Sequence, residues 1–143
     1  MRILILNGPN LNLLGTRQPE VYGKTTLPEL DAMCMAKAEE LGMQVECRQS
    51  NHEGQLIDWI QEAKGVFQGL LINAGGYTHT SVALHDAIAS VEIPTVELHI
   101  SNIKERESFR HHSYIEFVAF KSIMGHGPEG YLMGLDAMKA HLS

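Results

Sequence analysis

The sequence contains little of what would mark a secreted, membrane or nucleic-acid-binding protein. It has two cysteines, Cys34 and Cys47, and no CxxC motif, so we interpret both as buried thiols in a reducing compartment. The 11 Lys and Arg residues form no run and are outnumbered by 17 Asp and Glu residues, which gives nucleic acid no basic surface. No apolar stretch approaches the ~20 residues of a membrane span. The short apolar run at the N-terminus lacks a signal-peptide pattern. We therefore expect a cytoplasmic protein with no nucleic-acid or membrane partner.

Short apolar runs alternate with helical patterns along the whole chain, which predicts one domain over residues 1–143. The predicted strands cover residues 2–7, 43–48, 69–73, 95–100 and 118–124. Short joints between repeated β-α-β units favour a parallel sheet with helices on both faces. Five strands fit a flavodoxin-like three-layer α/β sandwich with strand order 2-1-3-4-5.

Three polar loops follow strands that meet at one edge of this predicted sheet. They are residues 7–12, residues 73–79 and the loop that begins at His99. Ligands of such folds bind beyond the carboxyl ends of the strands at the point where the strand order reverses. The first loop continues to Gly23, which is typical of a binding loop or lid. It carries Arg17 and Tyr22, and a tyrosine can act as a base near neutral pH only if a cation lowers its pKa.

Residues 95–101 alternate strictly between apolar and polar side chains. The plainer interpretation is an edge strand with one solvated face. In the functional interpretation Glu97, His99 and Ser101 point into the crevice. Glu97 then fixes the tautomer of His99 and favours its protonated form, as a general acid requires.

Other patterns admit more than one interpretation. His79, His85 and Asp86 could bind a metal, although the spacing puts the two histidines on different helical faces and no HExxH motif is present. Asp86 could equally cap a helix or form a salt bridge. The Gly75-Gly76 loop could approach an anion, but it matches no nucleotide-binding fingerprint. We interpret the remaining histidines of the second half as structural or surface residues: His111, His112, His126 and His141.

The same loops admit two non-catalytic alternatives. A phospho-receiver module needs acidic residues after the first and third strands, where this chain has Asn7 and Asn73. A flavin or nucleotide carrier would reveal itself by visible absorbance or by flavin binding. Arg106 and Arg110 lie one helical turn apart, and most basic residues at such spacing lie in solvent.

Taken in order, several blocks make the chain resemble the type II 3-dehydroquinate dehydratases (type II dehydroquinases) over almost its whole length. The matching blocks are ILNGPNLN at residues 5–12, PEVYG at 19–23, QSNHEG at 49–54, NAGGYTHTS at 73–81, ELHISN at 97–102 and FRHHS at 109–113. Lys104 stands where a histidine is common, and His126 where an apolar residue is usual. Neither position belongs to the family's reacting set.

The resemblance implies a homo-oligomer, commonly a dodecamer built as a tetramer of trimers, that dehydrates 3-dehydroquinate to 3-dehydroshikimate without metal or cofactor. It implies Tyr22 as base, Arg17 as the lid arginine that supports it, and His99 as acid with Glu97 behind it. Asn10 is expected to hold a water near the developing enolate, and Arg106 to support the site. The expected substrate-binding residues are Asn73, His79, Asp86, Ile100, Ser101 and Arg110. In this family a neighbouring subunit can contribute Asp86.

Two questions stay open in the sequence. The same reaction serves aromatic biosynthesis through the shikimate pathway and the breakdown of quinate. A lysine Schiff base is the other known route for this dehydration, but no lysine of this chain follows a strand end into the predicted crevice.

Overall fold

The computed structural model describes residues 1–16 and 18–143, and Arg17 lies outside the described residues. Five parallel strands form one sheet in the order β2-β1-β3-β4-β5. This confirms the predicted flavodoxin-like architecture. The strands are β1 (Arg2–Asn7), β2 (Gln44–Gln49), β3 (Gly69–Asn73), β4 (Thr95–His99) and β5 (Lys121–Met124).

Helices connect the strands, and two of them begin with a side-chain cap. The helices are α1 (Pro19–Tyr22), α2 (Leu27–Glu40), α3 (Glu53–Ala63), α4 (Val82–Val91) and α5 (Glu129–Leu142). The Thr26 side chain accepts a hydrogen bond from the Glu29 N–H at 3.3 Å, so α2 starts with a threonine cap. Ser81 accepts from the Leu84 N–H at 2.9 Å and caps α4 in the same way.

Two apolar cores cover the two faces of the sheet. Ile3, Ile5 and Leu98 pack with α2 and α5 on one face, whereas Leu4, Leu6 and Ile72 pack with α3 and α4 on the other. Each fully buried aliphatic side chain contributes about 1.5–3 kcal/mol relative to exposure. Because both faces are covered, the central strands are rigid, and the loops at their carboxyl ends start from fixed positions.

The structure corrects three local predictions. Residues 115–118 form a 3₁₀ turn, so the fifth strand begins at Lys121 and not at Val118. His79 ends another 3₁₀ turn, Gly75–His79, and α4 starts only at Val82, so His79 lies outside the helix that carries His85 and Asp86. The possibility of a solvated edge strand is wrong for β4, which lies between β3 and β5 and is buried along its whole length.

The prediction of buried thiols is correct for Cys34 and wrong for Cys47, which is only partly buried. Neither cysteine forms a disulfide. Burial, followed by the nearby Asp31 carboxylate, raises the pKa of Cys34 to about 12. None of the helices in the described part of the chain combines the length and apolar character that a membrane crossing requires.

Candidate active site

A crevice of about 260 Å³ opens at the carboxyl ends of β1, β3 and β4, where the sheet order reverses. It is mostly polar and lies at the position predicted from the three loops. Nine of the residues proposed from the sequence line it: Asn10, Tyr22, Asn73, His79, His99, Ile100, Ser101, Arg106 and Arg110.

Asn73, which lines the crevice, belongs to a buried hydrogen-bond network with Asn7 and a tyrosine hydroxyl. Asn7 and Asn73 are register partners at the ends of β1 and β3. The Tyr131 hydroxyl, from α5, donates to Asn7 Oδ1 at 2.5 Å and accepts from Asn73 Nδ2 at 3.0 Å. Asn73 Oδ1 also accepts the Gly75 N–H at 3.1 Å. These bonds fix the two strand ends relative to α5 and orient the Asn73 amide below the crevice.

The loop after β1 is held in a conformation that few residues adopt. Asn10 has φ 71°, in the left-handed region, and its N–H donates to Asn51 Oδ1 at 3.0 Å. Gly8 is required before it, because a Cβ there would lie 2.5 Å from the backbone oxygen of Ala74. Asn10 is exposed and lines the crevice.

Glu97 and His99 form a buried carboxylate–imidazole pair. Both side chains project from the same face of β4, and Glu97 Oε2 lies 2.8 Å from His99 Nε2. A carboxylate only accepts hydrogen bonds, so Nε2 carries the proton and Nδ1 is the other ring nitrogen. The His99 side chain is 5% exposed and Glu97 1%. The alternation in residues 95–101 therefore places His99 and Ser101 at the crevice, with the Glu97 carboxylate buried behind His99.

Three hydroxyl groups hold the Glu97 carboxylate in place. Thr78 Oγ1 donates to Oε2 at 2.8 Å, Ser122 Oγ donates to Oε1 at 2.7 Å, and Ser113 Oγ also donates to Oε2. Burial by itself would raise the pKa of Glu97. The hydrogen bond and charge of His99, together with the hydroxyl donors, outweigh burial and lower that pKa to about 2. Glu97 is a carboxylate at any physiological pH.

Tyr22 and Arg106 form the second pair. Arg106 Nη1 donates to the Tyr22 hydroxyl oxygen at 2.8 Å, and its guanidinium carbon lies 5.4 Å from the centre of the Tyr22 ring. Nη1 also reaches Ser101 Oγ at 3.4 Å. A cation in contact with a phenol oxygen favours the ionised phenolate. Arg106 therefore takes a place beside Tyr22 that the sequence analysis had given to Arg17 alone.

His79 and Arg110 also line the crevice. His79 Nδ1 bonds to the backbone oxygen of His112 at 2.8 Å. Burial lowers the pKa of His79, and the charges of His99, Arg110 and His112 lower it further, against the opposing effect of the bond to His112. Arg110 Nε donates to Glu107 Oε2 at 3.1 Å and the side chain is 23% exposed, so it is oriented and accessible to an anion.

Asp86, by contrast, lies outside this crevice. It sits on α4 with its side chain 67% exposed, and its Oδ1 contacts His85 Nδ1 at 2.9 Å. Across residues 1–16 and 18–143, no three His, Cys, Asp or Glu side chains form a group able to hold a metal ion. The His79, His85 and Asp86 combination is accordingly not assembled there.

The sequence analysis missed the residues that support the site. Thr78, Ser113 and Ser122 come from three separate segments, and only the strand register (Glu97 opposite Ser122) brings the last of them to the carboxylate. Tyr131 lies 124 residues from Asn7. Serines and tyrosines in helices and loops give no local signal for such contacts. Thr78 and Ser113 do lie within two of the blocks that carry the resemblance.

The flavodoxin-like sheet carries a tyrosine–arginine pair and a carboxylate–histidine pair at its switch point. These features define a small α/β protein equipped for acid–base chemistry. The sequence model of the class II dehydroquinase family matches residues 1–139. The chain belongs to that family.

Relatives cover the same length. The chain is 61% identical over 141 residues to a 3-dehydroquinate dehydratase of Ruegeria pomeroyi, covering 99% of this chain and 95% of the relative. It is 62% identical over 143 residues to a 3-dehydroquinate dehydratase of Dinoroseobacter shibae, covering 100% and 95%. The crystal structure of the type II dehydroquinase from Butyrivibrio crossotus superposes with a TM-score of 0.95 at 48% identity, covering 96% of this chain and 97% of that one.

Proposed function

We propose that this chain is a 3-dehydroquinate dehydratase that removes water from 3-dehydroquinate through an enolate and forms 3-dehydroshikimate. The observation that carries the proposal is the meeting of two pairs in one crevice, Tyr22 with Arg106 and His99 with Glu97. Family membership and relatives with that name support the choice of substrate.

Tyr22 is the proposed base. The ketone of 3-dehydroquinate acidifies the neighbouring C–H bond, so a phenolate can take that proton and leave an enolate. The guanidinium of Arg106, 2.8 Å from the hydroxyl oxygen, stabilises the phenolate before the proton transfer. Arg17 is proposed to add a second cation from the loop after β1, although it lies outside the described residues. Closure of that loop would exclude water from the reaction.

His99 is the proposed acid. Hydroxide is a poor leaving group, so the departing oxygen needs a proton as the C–O bond breaks. Glu97 holds the Nε2–H of His99 and leaves Nδ1 toward the crevice, and its negative charge stabilises the protonated ring. A positioned acid or base of this kind contributes typically about 10²–10⁴-fold to the rate.

The remaining crevice residues are proposed to bind the substrate. The backbone N–H groups of Ile100 and Ser101 and the Arg110 guanidinium are suited to its carboxylate. Asn73 and His79 are suited to its hydroxyl groups. Asn10 is proposed to orient a water toward the enolate oxygen, where polar groups aimed at developing charge lower the barrier.

Asp86 is proposed to act in the oligomer, at the crevice of a neighbouring subunit. Its carboxylate is exposed on α4 and away from the crevice of its own subunit, which fits contribution to a neighbouring site in a dodecamer built as a tetramer of trimers. We place the enzyme in the cytoplasm and in the shikimate pathway. Quinate breakdown uses the same reaction and is the alternative, which the neighbouring genes would separate.

The test is direct, because the product is a conjugated enone that absorbs in the near ultraviolet. Purified protein mixed with 3-dehydroquinate should produce this absorbance, and Tyr22→Phe should bind substrate but turn it over about 10²–10⁴-fold more slowly. Tyr114→Phe is the matched control, because it removes the same atom from a tyrosine that does not line the crevice. Absence of the rise from folded protein would refute the proposed function. A Tyr22→Phe rate close to normal would remove Tyr22 as the base.

A further inference from the structure

Two segments that flank the crevice are joined by reciprocal hydrogen bonds. His79 Nδ1 lies 2.8 Å from the backbone oxygen of His112, and His112 Nε2 lies 2.6 Å from the backbone oxygen of His79. Next to them the Tyr114 N–H donates to the Thr78 carbonyl at 2.8 Å. The His112 side chain is exposed and still has a fixed place, because its ring also packs edge-on against Tyr114 with 5.2 Å between centroids.

The acceptors in this arrangement determine where the protons are. A carbonyl oxygen can only accept a hydrogen bond, so His79 carries its proton on Nδ1 and His112 carries one on Nε2. Burial lowers the pKa of His79, which keeps its ring neutral near pH 7. A neutral ring protonated on Nδ1 has a lone pair on Nε2. His79 lines the crevice, and Nε2 is the nitrogen left for a ligand.

The two crevice histidines are therefore held as opposite tautomers. His99 keeps its proton on Nε2, facing Glu97, whereas His79 keeps its proton on Nδ1, facing a backbone carbonyl. His79 accordingly offers a hydrogen-bond acceptor to the crevice. An acceptor pairs with a substrate hydroxyl, whereas a substrate carbonyl or carboxylate at the same place would leave two acceptors facing each other.

We propose that His112 is a positioning residue. Its ring N–H binds the His79 carbonyl and so holds the His112 backbone carbonyl against His79 Nδ1, which keeps His79 in the Nδ1–H form that accepts a hydrogen bond from a substrate hydroxyl. The identity of that substrate rests on the proposed function, but the tautomer of His79 does not. His112 acts from outside the crevice, because it does not line it. His112 contributes by orienting the His79 ring and by fixing which ring nitrogen carries the proton.

The first experiment reads the tautomer without any turnover. Protein labelled with ¹⁵N at histidine is measured by NMR without ligand, and His79→Gln assigns the His79 signals. We expect a protonated Nδ1 and an unprotonated Nε2 at His79 in the wild-type protein. A His79 ring protonated on Nε2 would overturn the proposal, whether or not the protein dehydrates 3-dehydroquinate.

The second experiment separates positioning from general stability. His112→Phe keeps the ring against Tyr114 but removes the N–H donor, and His112→Gln supplies an amide donor in its place. We expect His112→Phe to raise KM for 3-dehydroquinate about 3- to 10-fold, the size of one net hydrogen bond, with kcat changed less than about twofold. We expect His112→Gln to recover most of the loss. His52→Gln, an exposed histidine outside the crevice, is the control.

The outcomes can be told apart. Unchanged KM in folded His112→Phe, or an equal loss of kcat and affinity, would overturn the positioning role. If His112→Phe does not fold, His112→Gln and the wild-type spectrum still decide the question. Absence of dehydration by the wild-type protein would refute the proposed function, and the NMR measurement would remain valid.

Discussion

Glu97→Gln separates the charge of the buried carboxylate from its geometry. Oε2 accepts from three donors, and Oε1 accepts from Ser122. A glutamine with its amide oxygen at the Oε2 position keeps the bond from His99. Its NH₂ then faces the Ser122 hydroxyl, which can rotate and accept. The substitution should preserve the fold and the His99 tautomer, while the negative charge is lost.

The pKa of Glu97 gives the expected size of the effect on stability. A fall from 4.5 to about 2 corresponds to about 3 kcal/mol of linkage. Because the folded-state pKa is the lower one, this contribution is present above about pH 4.5 and is lost as the pH falls toward 2. The difference in unfolding free energy between wild type and Glu97→Gln should therefore shrink by about 3 kcal/mol over that interval. Urea unfolding followed by the fluorescence of Trp59, the one tryptophan, measures it.

Catalysis should respond to the same change. Without the contacting carboxylate a protonated His99 loses its counterion, so kcat at pH 7 should fall about 10- to 1000-fold with little change in KM. Glu62→Gln, an exposed glutamate on α3, is the control for both measurements. A Glu97→Gln protein with normal kcat and a pH-independent stability difference would refute the assignment of Glu97 as the charged partner of His99.

Three further predictions follow from distances in the site. Tyr22→Phe should lower kcat about 10²–10⁴-fold without weakening substrate binding, and comparison of turnover with calorimetric affinity checks this. Arg106→Met should lower kcat more than affinity, because it removes the guanidinium that contacts the hydroxyl of the proposed base. A kcat close to normal would contradict the pairing of Arg106 with Tyr22. Gly8→Ala should reduce the free energy of unfolding by about 1–3 kcal/mol, because its Cβ would lie 2.5 Å from the Ala74 oxygen. Gly54→Ala on α3, where a Cβ meets nothing within 4 Å, should cost nothing in the same urea titration.

The sheet order was predictable because each element carries its own periodicity. Buried strands such as β1 and β3 are continuous apolar runs, and the helices between them show one apolar stripe, so the β-α-β repeat can be read locally. The element boundaries were less certain. Val118 is apolar and precedes a stretch in which apolar and polar residues alternate, which is the pattern of a strand. In the structure Val118 instead ends a 3₁₀ turn that packs against α4. Nothing in the sequence signals that turn.

The position of the crevice could be predicted from its three loops. A pair of contacting side chains within it could be predicted only where the two residues are close in sequence. Glu97 and His99 are two residues apart on one strand, so their contact follows from strand geometry. Arg106 and Tyr22 are 84 residues apart, and only the folded sheet brings them together. The bond between His112 and His79 likewise could not be predicted from the sequence, because it joins two segments 33 residues apart.

The measurement that tests the central claim most directly is the near-ultraviolet rise on mixing the protein with 3-dehydroquinate, repeated after chelator treatment and after borohydride treatment with substrate present. Elimination by Tyr22 and His99 through an enolate predicts the same rate of enone formation in all three samples. Loss of activity after borohydride would indicate a lysine Schiff base, and loss after chelator would indicate a metal. Either loss would contradict the mechanism proposed for this site.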